Sequence, residues 1–194
     1  MERPSPKPRR RVRKADAAYL ERAALHYLQR FASSAENLRR VLLRRVERSA
    51  REHGTDREEG ARLVDALVGR LQASGMVDDR VYAEGRALSL ARRGTAPRMI
   101  RARLAQKGVV AAAIDGALAH LAERHADPEL AAALALARRR RLGPYRIAER
   151  AAHRDRDLAA LARAGFPYDV ARRLVEAESP EALEAGAAGS GLEL

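Results

Sequence analysis

Apolar residues recur every three or four positions through most of this chain of 194 residues. That spacing places them on one face of an α-helix. No segment alternates between apolar and polar residues for long enough to predict a β-strand. Glycine, proline and serine residues separate the apolar segments, as is typical of helix ends. The sequence therefore predicts an all-helical fold of about nine short helices.

The clearest helix boundaries lie in the middle of the chain, in the stretch GMVDDRVYAEGRALSLARRGTAPRMIRARLAQKGV. Gly75 opens this stretch, and a glycine can adopt the left-handed conformation that closes a helix. Asp78 or Asp79 is expected to cap the following helix by accepting its free amide protons. Thr95 is expected to cap the next helix, with Pro97 in the first turn, where a missing N–H does no harm. These signals predict two helices joined by a short break.

Similar patterns precede and follow this stretch, which indicates internal repetition. The serine at the start of the second helix aligns with Thr95 at an offset of 62 residues, and Gly165 aligns with Gly108 at an offset of 57. We therefore predict three tandem three-helix repeats. They span residues 16–78, 79–126 and 127–178, between a disordered basic arm at 1–15 and a disordered tail at 179–194. Residues 47–60 are polar and broken by Gly54 and Gly60, so we expect an insertion there, made of a helix extension and a loop.

Three local features complete the helix assignment. Tyr27 and Phe31 belong to an apolar stripe that we interpret as the buried face of the first helix. Ser33 and Glu36 have the spacing of a capping box at the start of the second helix. In the third repeat, residues 145–152 are expected to be helical.

The residue types present argue against catalytic and metal chemistry. The absence of cysteine excludes disulfides, thiol catalysis and cysteine zinc sites. The five histidines are scattered, and HLAERH is one residue too long for the H-x-x-E-H zinc signature. The chain has no glycine-rich phosphate loop and no serine in a nucleophile motif. We predict that this protein is not an enzyme and uses no metal, cofactor or small-molecule substrate.

The apolar segments are too short for a membrane protein. No apolar run approaches the roughly 20 residues that cross a bilayer. The first residues are basic, but they lack the apolar stretch of a secretory signal. We therefore expect a cytoplasmic monomer without a membrane partner.

The positive charge is distributed along the body of the chain. Of the net charge of +12, residues 1–14 carry +6 and residues 176–194 carry −5, so +11 remains between them. This balance favours a polyanionic partner. Phe and Tyr supply only 4% of the residues, so contacts to phosphates or acidic protein surfaces are favoured over base stacking.

Basic residues recur on equivalent helices of successive repeats. Any single arginine is most often part of a solvated helix surface, but an array of repeats would align these residues as a stripe that suits a polymer. The candidate contact residues are Arg39, Arg40, Arg44, Arg92, Arg93, Arg98, Arg101, Arg103, Lys107, Arg138, Arg139, Arg140 and Arg141, followed by Arg172 and Arg173 on the last helix.

Three strings in order resemble the RecX family of bacterial recombination regulators. They are ALHYLQRFASSAENLRR (residues 24–40), GMVDDRVYA with RRGTAPRMIRARLAQKGV (75–83 and 92–109), and RAGFPYDV (163–170). Ala164 and Pro167 depart from the family's pattern, and residues 47–60 are longer than it expects. The residues that carry the structural part of the resemblance are Gly75, Asp78, Asp79, Tyr82, Gly108, Gly165, Phe166 and Tyr168.

The resemblance implies a fold and a function. It implies an elongated, curved array of three three-helix repeats that binds the RecA recombinase and its filament on single-stranded DNA. It also implies inhibition of ATP hydrolysis, strand exchange and coprotease activity, and so modulation of DNA repair and the SOS response. The alternative hypothesis is a stand-alone nucleic-acid-binding protein. It includes a helix-turn-helix regulator, because short turns separate the helix pairs.

Overall fold

The computed structural model describes residues 12–187, which contain ten α-helices, two short 3-10 turns and no β-strand. The predicted all-helical fold is confirmed. The chain divides into two compact units, Met1–Asp78 and Asp79–Leu194. No helix in the described part is both long and apolar enough to span a membrane. The helices are α1 (Ala17–Leu28), α2 (Ala35–His53), α3 (Arg57–Ala73), α4 (Asp79–Arg92), α5 (Pro97–Gln106), α6 (Ala111–Ala122), α7 (Pro128–Arg140), α8 (Arg154–Ala164), α9 (Tyr168–Glu176) and α10 (Pro180–Ala187).

The three helices of the first unit begin at short polar side chains. Asp16 caps α1, and Asp56 caps α3 by accepting the amide protons of the second and third helical residues. The cap of α2 is Ser34, whose Oγ accepts the N–H of Asn37 at 3.2 Å. The predicted cap, Ser33, was wrong by one residue. Its hydroxyl instead accepts a hydrogen bond from the Asn37 side chain at 2.8 Å.

The predicted insertion at residues 47–60 contains the expected helix extension and only a short loop. The helix α2 extends to His53, and its C-cap is Gly54, which is left-handed with φ 65°. Two residues later Asp56 caps α3. Gly60, which the sequence suggested as a helix breaker, lies inside α3 and is buried against Val46 of α2. Its missing side chain allows the two helices to cross closely, so the glycine serves packing and not chain reversal.

The core of the first unit lies between all three helices, but it excludes the end of the predicted aromatic stripe. Phe31 follows the end of α1 and is 52% exposed. Its ring packs on Tyr27 with centroids 5.2 Å apart. The prediction of a buried face fails at Phe31 because α1 ends at Leu28. Beyond that residue, helical periodicity no longer sets the direction of the side chain. The core residues include Leu20, Ala24, Leu38, Leu42, Val46, Val64, Leu67, Val68, Leu71 and Val77.

The segment before α1 is held against the end of α2. The carbonyl of Val12 lies 2.9 Å from His53 Nε2, and the N–H of Ala15 donates to Ser49 Oγ at 2.9 Å. Residues 12–15 therefore do not belong to a disordered arm, contrary to the prediction. The rest of that predicted arm, residues 1–11, lies outside the described residues.

The predicted disordered tail begins with a helix. Residues Pro180–Ala187 form α10, and Leu183 is buried in the same core cluster as α7, α8 and α9. The burial of Leu183 places this segment against the core of the second unit, although its composition indicated disorder. Residues 188–194 of the predicted tail lie outside the described part.

The second unit has two core clusters, one within α4–α6 and one around α7–α10. Thr95 does not cap α5, which begins after Ala96 without a side-chain cap. The Thr95 N–H instead donates to the Leu90 carbonyl, closing the turn after α4 at 3.1 Å. Between α7 and α8, residues 145–152 form no α-helix, and only two 3-10 turns, Gly143–Tyr145 and Ala151–His153, flank this link.

The close crossing of α2 and α3 predicts opposite effects for two glycines of one helix. A Cβ at Gly60 would lie closer than 3.0 Å to Val46, whereas a Cβ at Gly69 would meet nothing within 4 Å. Gly60→Ala should therefore lower the free energy of unfolding by about 1–3 kcal/mol. Gly69→Ala should raise it by up to about 1 kcal/mol because alanine favours the helix. Urea unfolding followed by circular dichroism measures both.

The clash itself can be isolated with a second substitution. Val46→Ala should lower the free energy of unfolding less in the Gly60→Ala background than in the wild type, because it makes room for the new methyl group. Equal costs in both backgrounds would show that the loss at Gly60 does not come from contact with Val46.

Candidate functional site

The helix α7 forms the centre of the second unit. Asp127 caps it, with Pro128 in its first turn, and Leu130 and Leu136 are buried. The helix ends at Arg141, which adopts a left-handed conformation with φ 54°. Its last turn carries exposed arginines, where positive charge also interacts favourably with the helix dipole. A buried helix therefore presents a charged end to solvent.

Two glycines bring other elements close to α7 and α5. At Gly94, in the turn after α4, a Cβ would lie closer than 3.0 Å to the backbone of Leu136 in α7. At Gly165, after α8, a Cβ would lie closer than 3.0 Å to Met99 in α5. Both glycines have positive φ, at 72° and 99°. No other residue type fits these positions without a shift of the backbone or the neighbouring helix.

These approaches create a groove of about 460 Å³ between α4, α5, α7 and α8, here called the arginine groove. Its floor includes Leu90, Thr95, Met99, Leu136 and Ala160. Six exposed arginines and no acidic residue line it. The arginines of the groove are Arg86, Arg93, Arg103, Arg139, Arg140 and Arg163.

The arginine groove has no internal counter-ions. Within residues 12–187, none of its six guanidinium groups forms an ion pair with a carboxylate. Like charges around one concave surface repel each other and raise the local positive potential. Guanidinium groups bind phosphate and carboxylate oxygens through paired N–H donors. The groove is therefore suited to a polyanion that neutralises several arginines together.

The groove contains four of the arginines proposed from the sequence and two that sequence reasoning missed. Arg93, Arg103, Arg139 and Arg140 were proposed contact residues, and all four line it. Arg86 and Arg163 were not proposed. Arg86 could have been found, because it lies seven positions, about two helical turns, before Arg93, which directly follows the last residue of α4. No local signal marks Arg163, which reaches the groove through the packing of α8.

Two further proposed residues, Arg92 and Arg138, lie in a different depression. It has a volume of about 580 Å³, a largely apolar floor, and a rim that also carries Arg124 and His125. The last turn of α7 thus directs Arg138 away from Arg139 and Arg140. Three consecutive arginines on a helix cannot share one face, since each residue turns the helix by about 100°.

Five of the proposed arginines have acidic partners within their own unit. The hydrogen bond and charge of Asp65 raise the pKa of Arg39 above its ordinary value. Such exposed pairs contribute little to stability, but they offset the positive charge available to a ligand. The pairs are Arg39–Asp65 at 2.6 Å, Arg40–Glu36 at 2.8 Å, Arg101–Asp115 at 2.6 Å, Arg172–Glu176 at 3.8 Å and Arg173–Asp127 at 3.4 Å.

The remaining proposed contacts are exposed but not gathered into one site. Arg44 lies on α2, and Arg98 lies in the first turn of α5 close to Gly165. Lys107 is the C-cap of α5. Arg141 ends α7. The arginine groove therefore brings together four of the fifteen proposed residues.

The residues of the structural motif mostly occupy turns and core positions. Gly75 and Gly108 have positive φ of 71° and 77°, as Gly165 also has. Phe166 is 2% exposed in the core, and Tyr82 is partly buried. Asp78 and Asp79 stand at the start of α4. Tyr168 differs from the others because it is 64% exposed at the start of α9.

A buried carboxylate fixes one wall of the arginine groove. Asp157 of α8 is 1% exposed and accepts hydrogen bonds from the Gly143 N–H at 2.8 Å and from Arg146 Nη2 at 2.7 Å. Burial by itself would raise the pKa of Asp157, but the hydrogen bonds from Arg146 and Gly143 and the Arg146 charge hold it below its usual value. This network ties α8 to the link that follows α7.

The same network predicts that the stability difference between the wild type and an Asp157→Asn variant depends on pH. Asp157→Asn should lower the free energy of unfolding by about 1–3 kcal/mol at neutral pH. Because the folded pKa lies below the unfolded value of 3.8, the carboxylate's contribution is complete above pH 3.8 and disappears as pH falls through the folded pKa. Urea unfolding between pH 7 and pH 2.5 should show the wild type and the variant converging. A difference that does not change with pH would indicate lost packing instead of lost charge.

Neutralising the arginine groove should weaken polyanion binding. Arg103→Gln with Arg140→Gln should reduce affinity for a short single-stranded oligonucleotide about tenfold. The slope of log affinity against log salt should decrease by about 0.7 for each phosphate no longer contacted. Fluorescence anisotropy across a salt series measures both quantities.

The matched control for this double variant changes the same charge elsewhere. Arg70 and Arg156 are exposed and do not line the groove. Replacing both with glutamine should have a smaller effect on affinity. Equal losses for the two double variants would assign binding to net charge and not to the groove.

The described residues also lack a metal centre, since no group of three or more His, Asp or Glu side chains is placed to hold an ion.

Comparison with known proteins relates this arrangement to a family. A family model described as "RecX, second three-helix domain" matches residues 78–118, which include α4, α5 and most of α6. The regulatory protein RecX of Myxococcus xanthus (strain DK1622) is 44% identical over 169 residues, which are 86% of this chain and 89% of the relative. A crystal structure of regulatory protein RecX matches with a TM-score of 0.54 at 20% identity, over 82% of this chain and 71% of that chain. The family resemblance is confirmed, and this chain belongs to the RecX family of regulatory proteins.

Proposed function

We propose that this chain binds the RecA recombinase and its filament on single-stranded DNA and inhibits its ATP hydrolysis, strand exchange and coprotease activity. In this way it modulates DNA repair and the SOS response. The observation that carries the proposal is the arginine groove, with six unpaired guanidinium groups, in a regulatory protein of the RecX family. The protein acts in the cytoplasm, where its target works, and as a monomer.

The groove supports contact with the filament through charge. A filament on single-stranded DNA presents a repeating series of phosphates and acidic side chains, and each neutralised phosphate releases condensed counter-ions. Phosphate contacts position a protein without reading sequence. This agrees with the low aromatic content, because base stacking would need exposed rings. The groove therefore recognises the polymer and not a particular site.

Inhibition without catalysis requires a preference for one state of the target. A protein that binds one form of a filament more tightly shifts the filament towards that form, and the shift equals the difference in binding free energy. We propose that groups in the arginine groove engage the filament in a form that cannot advance through ATP hydrolysis and strand exchange. Three tandem repeats would give a long surface for such contact, since each repeat adds its own basic helices.

The proposal predicts inhibition at low ratios of inhibitor to target. Added to the cognate recombinase on single-stranded DNA, the protein should reduce the steady-state rate of ATP hydrolysis at substoichiometric concentration. The Arg103→Gln, Arg140→Gln variant should need about tenfold more protein for the same inhibition. The Arg70→Gln, Arg156→Gln variant should resemble the wild type. A coupled ATPase assay gives these inhibition curves.

The alternative function, stand-alone nucleic-acid binding, gives a different result in the same assay. Inhibition would then begin only when enough protein is present to sequester the DNA. A filament assembled before the protein is added would be resistant, because its DNA is already covered. That outcome would show that the target of the protein is the DNA and not the recombinase.

A further inference from the structure

We propose that the first unit contains a separate phosphate-binding site, built around Arg45, that takes the backbone of a single-stranded nucleic acid. The site lies between α1, α2 and the segment that precedes α1, in a groove of about 690 Å³. It does not share residues with the arginine groove and does not depend on the function proposed above. We call it the Arg45 site. Its cationic lining residues are Arg13, Arg22, His26, Arg45 and Arg48.

Arg45 is a partly buried guanidinium without a carboxylate partner. Its Nη1 donates a hydrogen bond to the Tyr19 hydroxyl at 2.9 Å, and the guanidinium carbon lies 5.8 Å from the centre of the Tyr19 ring. Its Nε is buried and has no acceptor. No ion pair to Arg45 occurs within residues 12–187. A buried charged donor without an acceptor is costly, and a bound anion would remove this cost.

Glu47, the acidic residue between Arg45 and Arg48 in sequence, is already engaged. Glu47 accepts hydrogen bonds from Arg57 at 2.8 Å and from Arg51 at 2.9 Å. These two bonds lower the pKa of Glu47 to about 2. Glu47 therefore remains charged and is paired elsewhere. By contrast, Arg39 and Arg40 on the same helix each have a carboxylate partner. The lack of such a partner at Arg45 and Arg48 is therefore not a general property of the arginines on α2.

The cations of the Arg45 site are positioned by the fold. Arg22 and His26 lie one turn apart on α1, and Arg45 and Arg48 lie one turn apart on α2. Arg13 joins them because the segment before α1 is fixed by hydrogen bonds to the end of α2. The anchor there is Ser49, which is fully buried and accepts from the Ala15 N–H.

The arrangement favours a nucleic-acid strand over a single ion or an acidic peptide. Two neighbouring rows of cations suit a chain of charges, and arginine forks match phosphate oxygens in pairs. The groove also exposes part of the Tyr19 and His26 rings, which can contact a sugar or a base. Aromatic side chains beside a basic groove are typical of single-strand binding. An acidic peptide offers carboxylates but no planar bases for these rings.

The test uses the full-length chain with its other groove removed. In a background with Arg93, Arg103, Arg139 and Arg140 replaced by glutamine, nuclear magnetic resonance reports on the first unit alone. The signals followed are Arg45 Nε–Hε and the His26 ring. The probes are inorganic phosphate, a short single-stranded oligothymidylate and an oligoglutamate of similar charge. No recombinase is present, so the result is independent of the proposed function.

We expect both signals to shift and saturate with oligothymidylate, and to shift more weakly with inorganic phosphate. Adding Arg22→Gln with Arg48→Gln, both exposed, should weaken oligothymidylate binding about tenfold. Adding Arg70→Gln, on α3 outside the site, should leave it unchanged. Arg45→Gln should abolish the saturable shift of His26. If Arg45→Gln does not fold, the variant with Arg22→Gln and Arg48→Gln still tests the site.

Three results would overturn the proposal. The first is no response of the Arg45 and His26 signals to oligothymidylate at any concentration that keeps the protein soluble. Arg70→Gln could weaken binding as much as the double variant, which would make the effect one of net charge. Oligoglutamate could bind as tightly as oligothymidylate, which would make the site a docking surface for acidic protein segments.

Discussion

The backbone of the turn at Gly94 lies directly against the backbone of α7, and the second unit depends on this contact. A Cβ at Gly94 would meet Leu136 closer than 3.0 Å, and the turn also needs a left-handed residue. Because the chain can approach so closely there, the ends of α4 and α7 share one side of the unit. Gly165 makes a similarly close approach where α8 meets α5, there against the side chain of Met99. The arginine groove is the consequence of these two contacts.

Charge in this protein is sorted into compensated and uncompensated groups. Exposed arginines such as Arg39 and Arg101 face carboxylates of a neighbouring helix and form surface ion pairs. The arginine groove and the Arg45 site contain no such partners within the described residues. Uncompensated charge in a concave surface opposes folding through self-repulsion, so its presence indicates a ligand that supplies the missing anions. In our proposal the two grooves, one in each unit, are separate places where the protein engages a polyanion.

The errors of sequence interpretation share one physical origin. Ser33, Thr95 and Phe31 were assigned roles from spacing alone, but the exact end of the preceding helix decides where each side chain points. Gly60 was taken as a breaker because glycine disfavours helices, whereas the buried crossing with Val46 stabilises the helix more than the glycine weakens it. In each case the geometry of a helix end or of a helix crossing, which residue spacing does not reveal, outweighed a small local preference. Local preferences are worth about 1 kcal/mol or less per residue, which packing easily exceeds.

The sequence by itself determined the helical fold, most helix ends and the excess of positive charge. Periodicity, caps such as Asp16 and Asp127 and left-handed glycines act between neighbouring residues, and net charge adds without regard to structure. Only the tertiary structure decided which arginines face one another. Arg139 and Arg140 join Arg93 and Arg103 while Arg138 turns away, because helix rotation and the close contact at Gly94 set their directions. Those directions depend on contacts between residues far apart in the chain, and no local pattern encodes them.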